Sequence, residues 1–373
     1  MGPGLGRNEG MKNTLAALLF LLAPTPNARA VLPATLRVPP GFKLTLAADN
    51  LEDVRGMAFS PSGELAVCLM DPGEVRQLGR ADGNGLFGGS HAILRGLQKP
   101  HSLAYHDGYL YVGETKRVVR FPVDGSPYAA EEGHTVVGLP AGGRHFTRTI
   151  AFSPEGWLAV SVGSDCNTCE EKDRRLAAIL KVDPVKGTWE VLASGIRNAV
   201  GLAFQPGTGR LFASGEERDL LGDDIPPEPI LMIRAGADYG WPFAYSLGGH
   251  MAPDPDYGSR KKGIFQTAFC EIQAHSTPLS ILFYRGHKFP ARYKEGFFLA
   301  LHGSWNRSIP VGYKVVFVPV RDGKPGKPED FLAAREGVER SFRPVQLLET
   351  PEGDLLVTDD RGGRIARVAW TGK

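Results

Sequence analysis

A hairpin signature recurs along this chain at nearly even spacing, and it constrains the fold more than any other feature. Four full copies are Gly56-Met-Ala-Phe-Ser-Pro-Ser-Gly-Glu-Leu-Ala-Val67, Ser102-Leu-Ala-Tyr-His-Asp-Gly-Tyr-Leu-Tyr-Val112, Thr149-Ile-Ala-Phe-Ser-Pro-Glu-Gly-Trp-Leu-Ala-Val160 and Gly201-Leu-Ala-Phe-Gln-Pro-Gly-Thr-Gly-Arg-Leu-Phe212. In each, an apolar strand meets a Pro/Gly or Asp-Gly turn and a second apolar strand returns. Two looser copies follow, Leu279–Tyr284 with Gly296–Leu301, and Val345–Val357. The first four starts lie 46 to 52 residues apart, the length of one four-stranded blade, and later spacings stretch to 66–78. Six copies predict an all-β, six-bladed β-propeller. The segments Phe42–Ala47 and Gly363–Val368 are strands left over at the two ends; they are expected to share a blade and close the ring. Residues 217–264 and 302–343, rich in Pro, Gly and charge, read as long loops inserted on the site face.

The N-terminus has the parts of a secretory signal peptide. Lys12 precedes the apolar run Leu15–Ala23, and Ala28-Arg-Ala30 supplies a small-residue cleavage site. Met11 offers a second start. The division expected is therefore a signal peptide over 1–30 and one catalytic propeller over 31–373. The run is too short to span a bilayer, which takes about 20 residues. A periplasmic or secreted protein without a transmembrane segment follows.

Composition excludes several classes. Forty-three basic and 41 acidic residues leave a net charge of +2, with no basic excess for nucleic acid. The literal G-x-G-x-x-G at Gly83, Gly85 and Gly88 neither follows a strand nor opens a helix, so it reads as a glycine-rich loop. Cys166 and Cys169 form a lone C-x-x-C with no second pair for zinc, and a small disulfide-closed loop is the favoured reading.

Polar residues gather where the repeats begin. His101 precedes the second repeat, Gly143-Arg-His-Phe-Thr-Arg148 the third, and Gly195-Ile-Arg-Asn198 the fourth. Ala274-His-Ser276 precedes the fifth and Arg340-Ser-Phe-Arg343 the sixth. If the repeats are blades, these positions share one face. His101, His145, Arg148, Arg197, Asn198, His275 and Arg343 then converge around the axis. Arginines suit carboxylates, and the acidic loop containing Glu216, Glu217, Asp219, Asp223 and Asp224 offers hard oxygens to a cation such as calcium.

At these residues the sequence resembles the soluble quinoprotein glucose and sorbosone dehydrogenase family. The stretches that carry the resemblance are Gly195–Phe204, Asp238-Tyr-Gly-Trp-Pro242 and His302-Gly-Ser-Trp-Asn-Arg307; Glu217-Arg-Asp219 with Gly222–Pro227 leans toward the sorbosone-type branch. The resemblance implies a six-bladed propeller that uses pyrroloquinoline quinone (PQQ) and calcium to oxidise an aldose or a sugar-derived aldehyde or alcohol. It implies an external electron acceptor, a quinone or cytochrome. His145 matches the base that takes the substrate's hydroxyl proton while a hydride passes to the quinone. Arg197 and Asn198 match the pair at the cofactor, with Arg197 stabilising charge on the quinone oxygen. Arg343 matches an arginine for cofactor carboxylates. Glu217 and Arg218 match the calcium loop through their carbonyls, with Asp223 and Asp224 in support.

The chain departs from the glucose-oxidising pattern. His101 stands where a glutamine is expected and His275 where an aromatic stacks. Trp305 or Arg307 takes the place of a lysine, as stacking face or cation. These replacements shift the expected substrate from glucose to a less specified aldose or aldehyde. The alternatives are a calcium-dependent propeller lactonase and a non-catalytic propeller binding module.

Overall fold

The computed structural model describes residues 31–141, 143–258, 263–334 and 339–372. The expected signal peptide lies outside the described residues. Apart from three single 3-10 turns, the regular elements are all strands.

Six antiparallel sheets stand around one axis. Blade 1 comprises Val54–Phe59, Leu65–Leu69, Glu74–Leu78 and Ser90–Arg95. Blade 2 comprises Ser102–His106, Tyr109–Glu114, Arg117–Pro122 and His134–Gly138. Blade 3 runs Ile150–Phe152, Leu158–Val162, Ala178–Val182 and Trp189–Ser194. Blade 4 runs Asn198–Phe204, Leu211–Glu216, Glu228–Met232 and Cys270–Ile272. Blade 5 holds Pro278–Leu282, Gly296–Leu301, Lys314–Arg321 and Glu329–Ala334. Blade 6 takes Pro344–Glu349, Leu355–Asp359 and Arg364–Trp370 from the C-terminus and Phe42–Ala48 from the N-terminus. The predicted blade count and ring closure are both present.

The turns explain why the repeats fold as they do. Gly63, Gly156 and Gly353 end the three Pro-x-Gly turns with φ of +89°, +88° and +87°. A side chain is disfavoured there, so the motif selects glycine and fixes where each first hairpin reverses. Successive inner strands are neighbours around the ring, the sixth against the first, and surround an axial cavity of about 610 Å³. Between blades lie six apolar clusters. The cluster at the closure is aromatic: Phe42 packs edge-on against Phe289, Tyr293, Phe331 and Trp370 at 4.8–5.5 Å.

The stretches 217–264 and 302–343 are not simply inserted loops. The first contains the third strand of blade 4 and a small hairpin, Ala244–Leu247 with His250–Pro253; the second contains the outer two strands of blade 5. Charge and proline obscured these strands in the sequence: Glu228 and Pro229 open the first, and Pro319 interrupts Lys314–Arg321. The glycine-rich loop at Gly83–Gly88 closes as a turn, Gly85 N–H donating to Asp82 O at 2.8 Å, with no helix after it.

Close approach of inner strands also depends on glycine. A Cβ at Gly201 would meet Ser214 Oγ and lie 2.9 Å from the Ile281 amide nitrogen. Gly201→Ala is therefore expected to lower unfolding free energy by about 1–3 kcal/mol in denaturant titration. Gly83→Ala, facing open space, should stay within about 0.5 kcal/mol.

Candidate active site

The mouth of the ring is built from two kinds of position. The inner strand of each blade begins there, and the second strand of each blade ends there. Residues just before an inner strand (Arg197, His275, Arg343) therefore meet residues just after a second strand (Glu217, His302). A cavity of about 360 Å³ opens between them, within the range of small-molecule sites.

His145 is buried on its wall. Its Nδ1 lies 2.8 Å from Ser164 O and 3.0 Å from Ser164 Oγ, which itself donates to Cys166 O. A carbonyl only accepts, so Nδ1 carries the proton and Nε2 keeps the lone pair. Burial, and then the positive charge of Arg197, holds the ring's pKa down to about 3. At neutral pH His145 is an uncharged acceptor. Gly163 makes room for it: a Cβ there would lie 2.5 Å from His145 Cβ.

Arg197, only 4% exposed, is fixed on all sides. Its Nη2 pairs with Asp219 Oδ2 at 2.9 Å and Asn167 Oδ1 at 2.9 Å, and its Nε donates to Asn167 O at 3.1 Å. Asn167 sits in the loop that the Cys166–Cys169 disulfide closes, so the C-x-x-C frames the arginine's cradle. The same Asn167 carbonyl accepts from Trp241 Nε1 at 3.3 Å. Two stretches distant in sequence, Gly195–Phe204 and Asp238–Pro242, thus meet here.

A group of carboxylates, Glu228 buried and Glu216 and Glu217 half-buried, lies behind Arg197. Glu216, Glu217 and Glu228 all line the cavity. Burial raises the pKa of each, Glu217 to about 7 and Glu228 well above the usual range, with Arg197 opposing. Asn198 Nδ2 donates to Glu216 Oε2 at 3.1 Å, while Asn198 Oδ1 and Glu217 Oε2 are buried without a partner. Orphaned, hard oxygen atoms of this kind suit a proton or a hard cation. Side chains alone do not preassemble a metal cage. Among the described residues the single group of three ligand-type atoms within 4.8 Å of one another is Cys166, Cys169 and Glu171, whose thiols are spent in the disulfide.

Opposite this group are Arg343, His275 and Trp305. Arg343 bonds His302, as developed below. His275, in the left-handed region at φ +65°, places Nε2 2.8 Å from Gly222 O and holds that turn. Trp305 stands at the rim, 69% exposed, an aromatic face at the cavity mouth.

The other expected site residues lie elsewhere. Arg148 is fully buried and gives its terminal nitrogens to the carbonyls of His145, Thr147 and Pro140, bracing the loop that carries His145 from behind. His101 lines the axial cavity below the site, with burial and Arg55 holding its pKa down to about 3. The Arg218 side chain forms a buried ion pair with Asp254 at 2.6 Å. Arg307 latches the two site loops together, pairing with Asp224 Oδ1 at 2.9 Å and Asp223 O, so neither it nor those aspartates line the cavity. Glu228, Thr277, Asn167 and Asp360 went unread in the sequence. The signal available was position: Asp360 follows the second strand of its blade as Glu217 does.

The fold and site define a six-bladed propeller with a polar axial pocket carrying a neutral histidine, arginines and buried acids. More narrowly, the chain belongs to the TrAA12-like family, whose pattern matches residues 36–224 and 257–371. The family resemblance read from the sequence is thereby borne out. A protein of Borreliella burgdorferi, described only as uncharacterized, is 29% identical over 95% of this chain and 96% of its own length. The pyrroloquinoline quinone-dependent pyranose dehydrogenase of Coprinopsis cinerea is 25% identical over 88% of this chain, which spans 54% of that relative. Among solved structures, the calcium structure of the Trichoderma reesei family AA12 enzyme matches with TM-score 0.80 at 22% identity, covering 93% of this chain and 99% of that one. The holo PQQ domain of the Coprinopsis cinerea enzyme matches with TM-score 0.75 at 22% identity, covering 91% and 98%.

The histidine's environment has a measurable consequence. The unfolded chain takes up this proton near pH 6.5, the folded chain only near 3. Stability is therefore lost as pH falls through that window, and His145→Gln should flatten the slope by about 1 kcal/mol per pH unit. Urea titrations of both proteins between pH 7 and 4 check this.

Proposed function

We propose that this chain is an exported, PQQ- and calcium-dependent dehydrogenase that oxidises an aldose or a sugar-derived aldehyde or alcohol. The observation that carries the reading is the pairing, in one cavity, of a neutral His145 offering Nε2 with the guanidinium groups of Arg197 and Arg343. The donor set suits the quinone, a planar tricarboxylate: Arg343 and the rim Arg144 have no carboxylate partner among the described residues, and Trp305 offers a planar face. The buried carboxylates suit calcium, in a shell completed by carbonyl, water or ligand oxygens.

When bound, PQQ supplies a two-electron acceptor and calcium a Lewis acid beside it. The protein's part is positioning and proton transfer. His145 Nε2 takes the hydroxyl proton of the substrate, and Ser164 keeps the ring in the required tautomer. Arg197, held by Asn167 and Asp219, sets positive charge where negative charge develops. Glu217 offers its orphaned oxygen to the cation. The reading implies an external quinone or cytochrome as the final electron acceptor. Among the described residues no helix is long and apolar enough to cross a membrane.

Reconstitution of the purified protein with PQQ and calcium, followed by dye reduction across aldoses, sorbosone-like aldehydes and lactones, tests the reading. Quinone-dependent dye reduction is expected. Lactone hydrolysis without quinone would instead install a calcium-dependent lactonase, and neither activity would leave a binding module. His145→Ala should retain quinone binding while kcat falls about 10²–10⁴-fold; undiminished turnover would remove it as the base. Glu217→Gln should raise the calcium needed for half-maximal reconstitution by about tenfold.

A further inference from the structure

Arg343 is gripped in an unusual way. Its backbone N–H donates to Asp359 Oδ1 at 3.1 Å, and Asp359 is locked in turn by Arg364 at 2.8 Å and by the Gly362 N–H at 3.1 Å. Its guanidinium donates through Nε to His302 O at 3.4 Å and approaches His302 Nδ1 through Nη2 at 2.9 Å. His302 Nε2 lies 2.9 Å from Asp360 Oδ2, and Asp360 also pairs with Arg55 at 3.2 Å. The Tyr313 ring lies 5.9 Å beneath the guanidinium carbon. Consecutive aspartates at the end of one strand thus hold the same arginine, one by its main chain and one through a histidine.

The hydrogen inventory fixes the direction of this chain. A guanidinium has only donors, so His302 Nδ1 is the acceptor. The ring proton therefore sits on Nε2 and is donated to Asp360. The edge of Arg343 formed by Nε and Nη2 is fully used by His302. The edge formed by Nη1 and the second hydrogen of Nη2 remains, on a residue that lines the cavity. Two parallel donors on a rigid plane match a carboxylate.

We propose that His302 and Asp360 are positioning residues that aim the open edge of Arg343 at a carboxylate of the bound cofactor. The inference rests on the quinone reading above. It assigns to His302 a role distinct from the base His145: it holds an arginine and exchanges no proton with substrate. Asp360 sets the histidine tautomer; without it the ring is free to place a proton on Nδ1, facing the arginine's own donors.

Two measurements test this. In the cofactor-free protein, ¹⁵N NMR of His302 should show a protonated Nε2 and a lone-pair Nδ1; a proton on Nδ1 overturns the clamp whatever the ligand. In a double-mutant cycle, PQQ affinity is titrated by fluorescence with calcium present. Arg343→Ala is expected to weaken binding about 100-fold and His302→Ala about tenfold, the double variant no further than Arg343→Ala. His302→Asn, which keeps an acceptor near the Nδ1 position, should recover most of the loss and guards against a misfolded alanine variant. Additive losses from His302→Ala and Arg343→Ala overturn the positioning role alone. Absence of PQQ binding by the unaltered protein overturns the functional reading and this inference with it.

Discussion

One antiparallel pairing holds the ring shut. Phe42–Ala48, near the beginning of the described chain, lies along Arg364–Trp370 near its end, from Phe42 opposite Trp370 to Ala48 opposite Ile365. Without that pairing blade 6 would have three strands, and an exposed edge would face solvent. The site depends on the same closure. Arg343, Asp359 and Asp360 belong to the closing blade, while His145 and Arg197 come from blades 3 and 4. Only a closed ring brings them around one cavity. The edge-on aromatic cluster around Phe42 anchors the seam by burying the strand that has furthest to travel in sequence.

Within the ring, chemistry is placed by topology more than by local sequence. Inner strands begin at the mouth and second strands end there, so each blade can deliver two polar positions. Burial then sharpens their properties. It keeps His145 neutral and raises the pKa of Glu217, while Arg197 remains paired with Asp219. Removing charges from water is costly, and the buried carboxylates are incompletely compensated by one arginine. The imbalance falls beside the neutral histidine, where a cation and an electron acceptor would be useful together.

Much of this was legible in the residues. Hairpin signatures starting every 46 to 52 residues over the first four repeats, each with a Pro/Gly or Asp-Gly turn, specify hairpins, blades and a ring, because the turn chemistry and the apolar strands agree. Arg197 and Arg343 were legible because each stands immediately before an inner strand, and His145 because it lies in the short segment Gly143–Arg148 that leads into one. Position alone was insufficient for Arg148, whose guanidinium turns inward to carbonyls, and for His101, which reaches the axial cavity below. Arg307, Asp223 and Asp224 look like site residues by charge, yet they satisfy one another across two loops. The group least visible was Glu228 with Asp360. Their importance depends on which second-strand and third-strand ends reach the mouth, a fact of three-dimensional register.

The central claim is that one axial pocket binds the quinone against His145, Arg197 and Arg343. A crystal structure of the protein loaded with PQQ and calcium tests it most directly. The account predicts quinone density in the cavity beneath Trp305, a cofactor carboxylate on the open edge of Arg343, and His145 Nε2 facing the space left for substrate. Quinone bound outside that cavity, or a cavity that stays empty at saturating quinone and calcium, would contradict it.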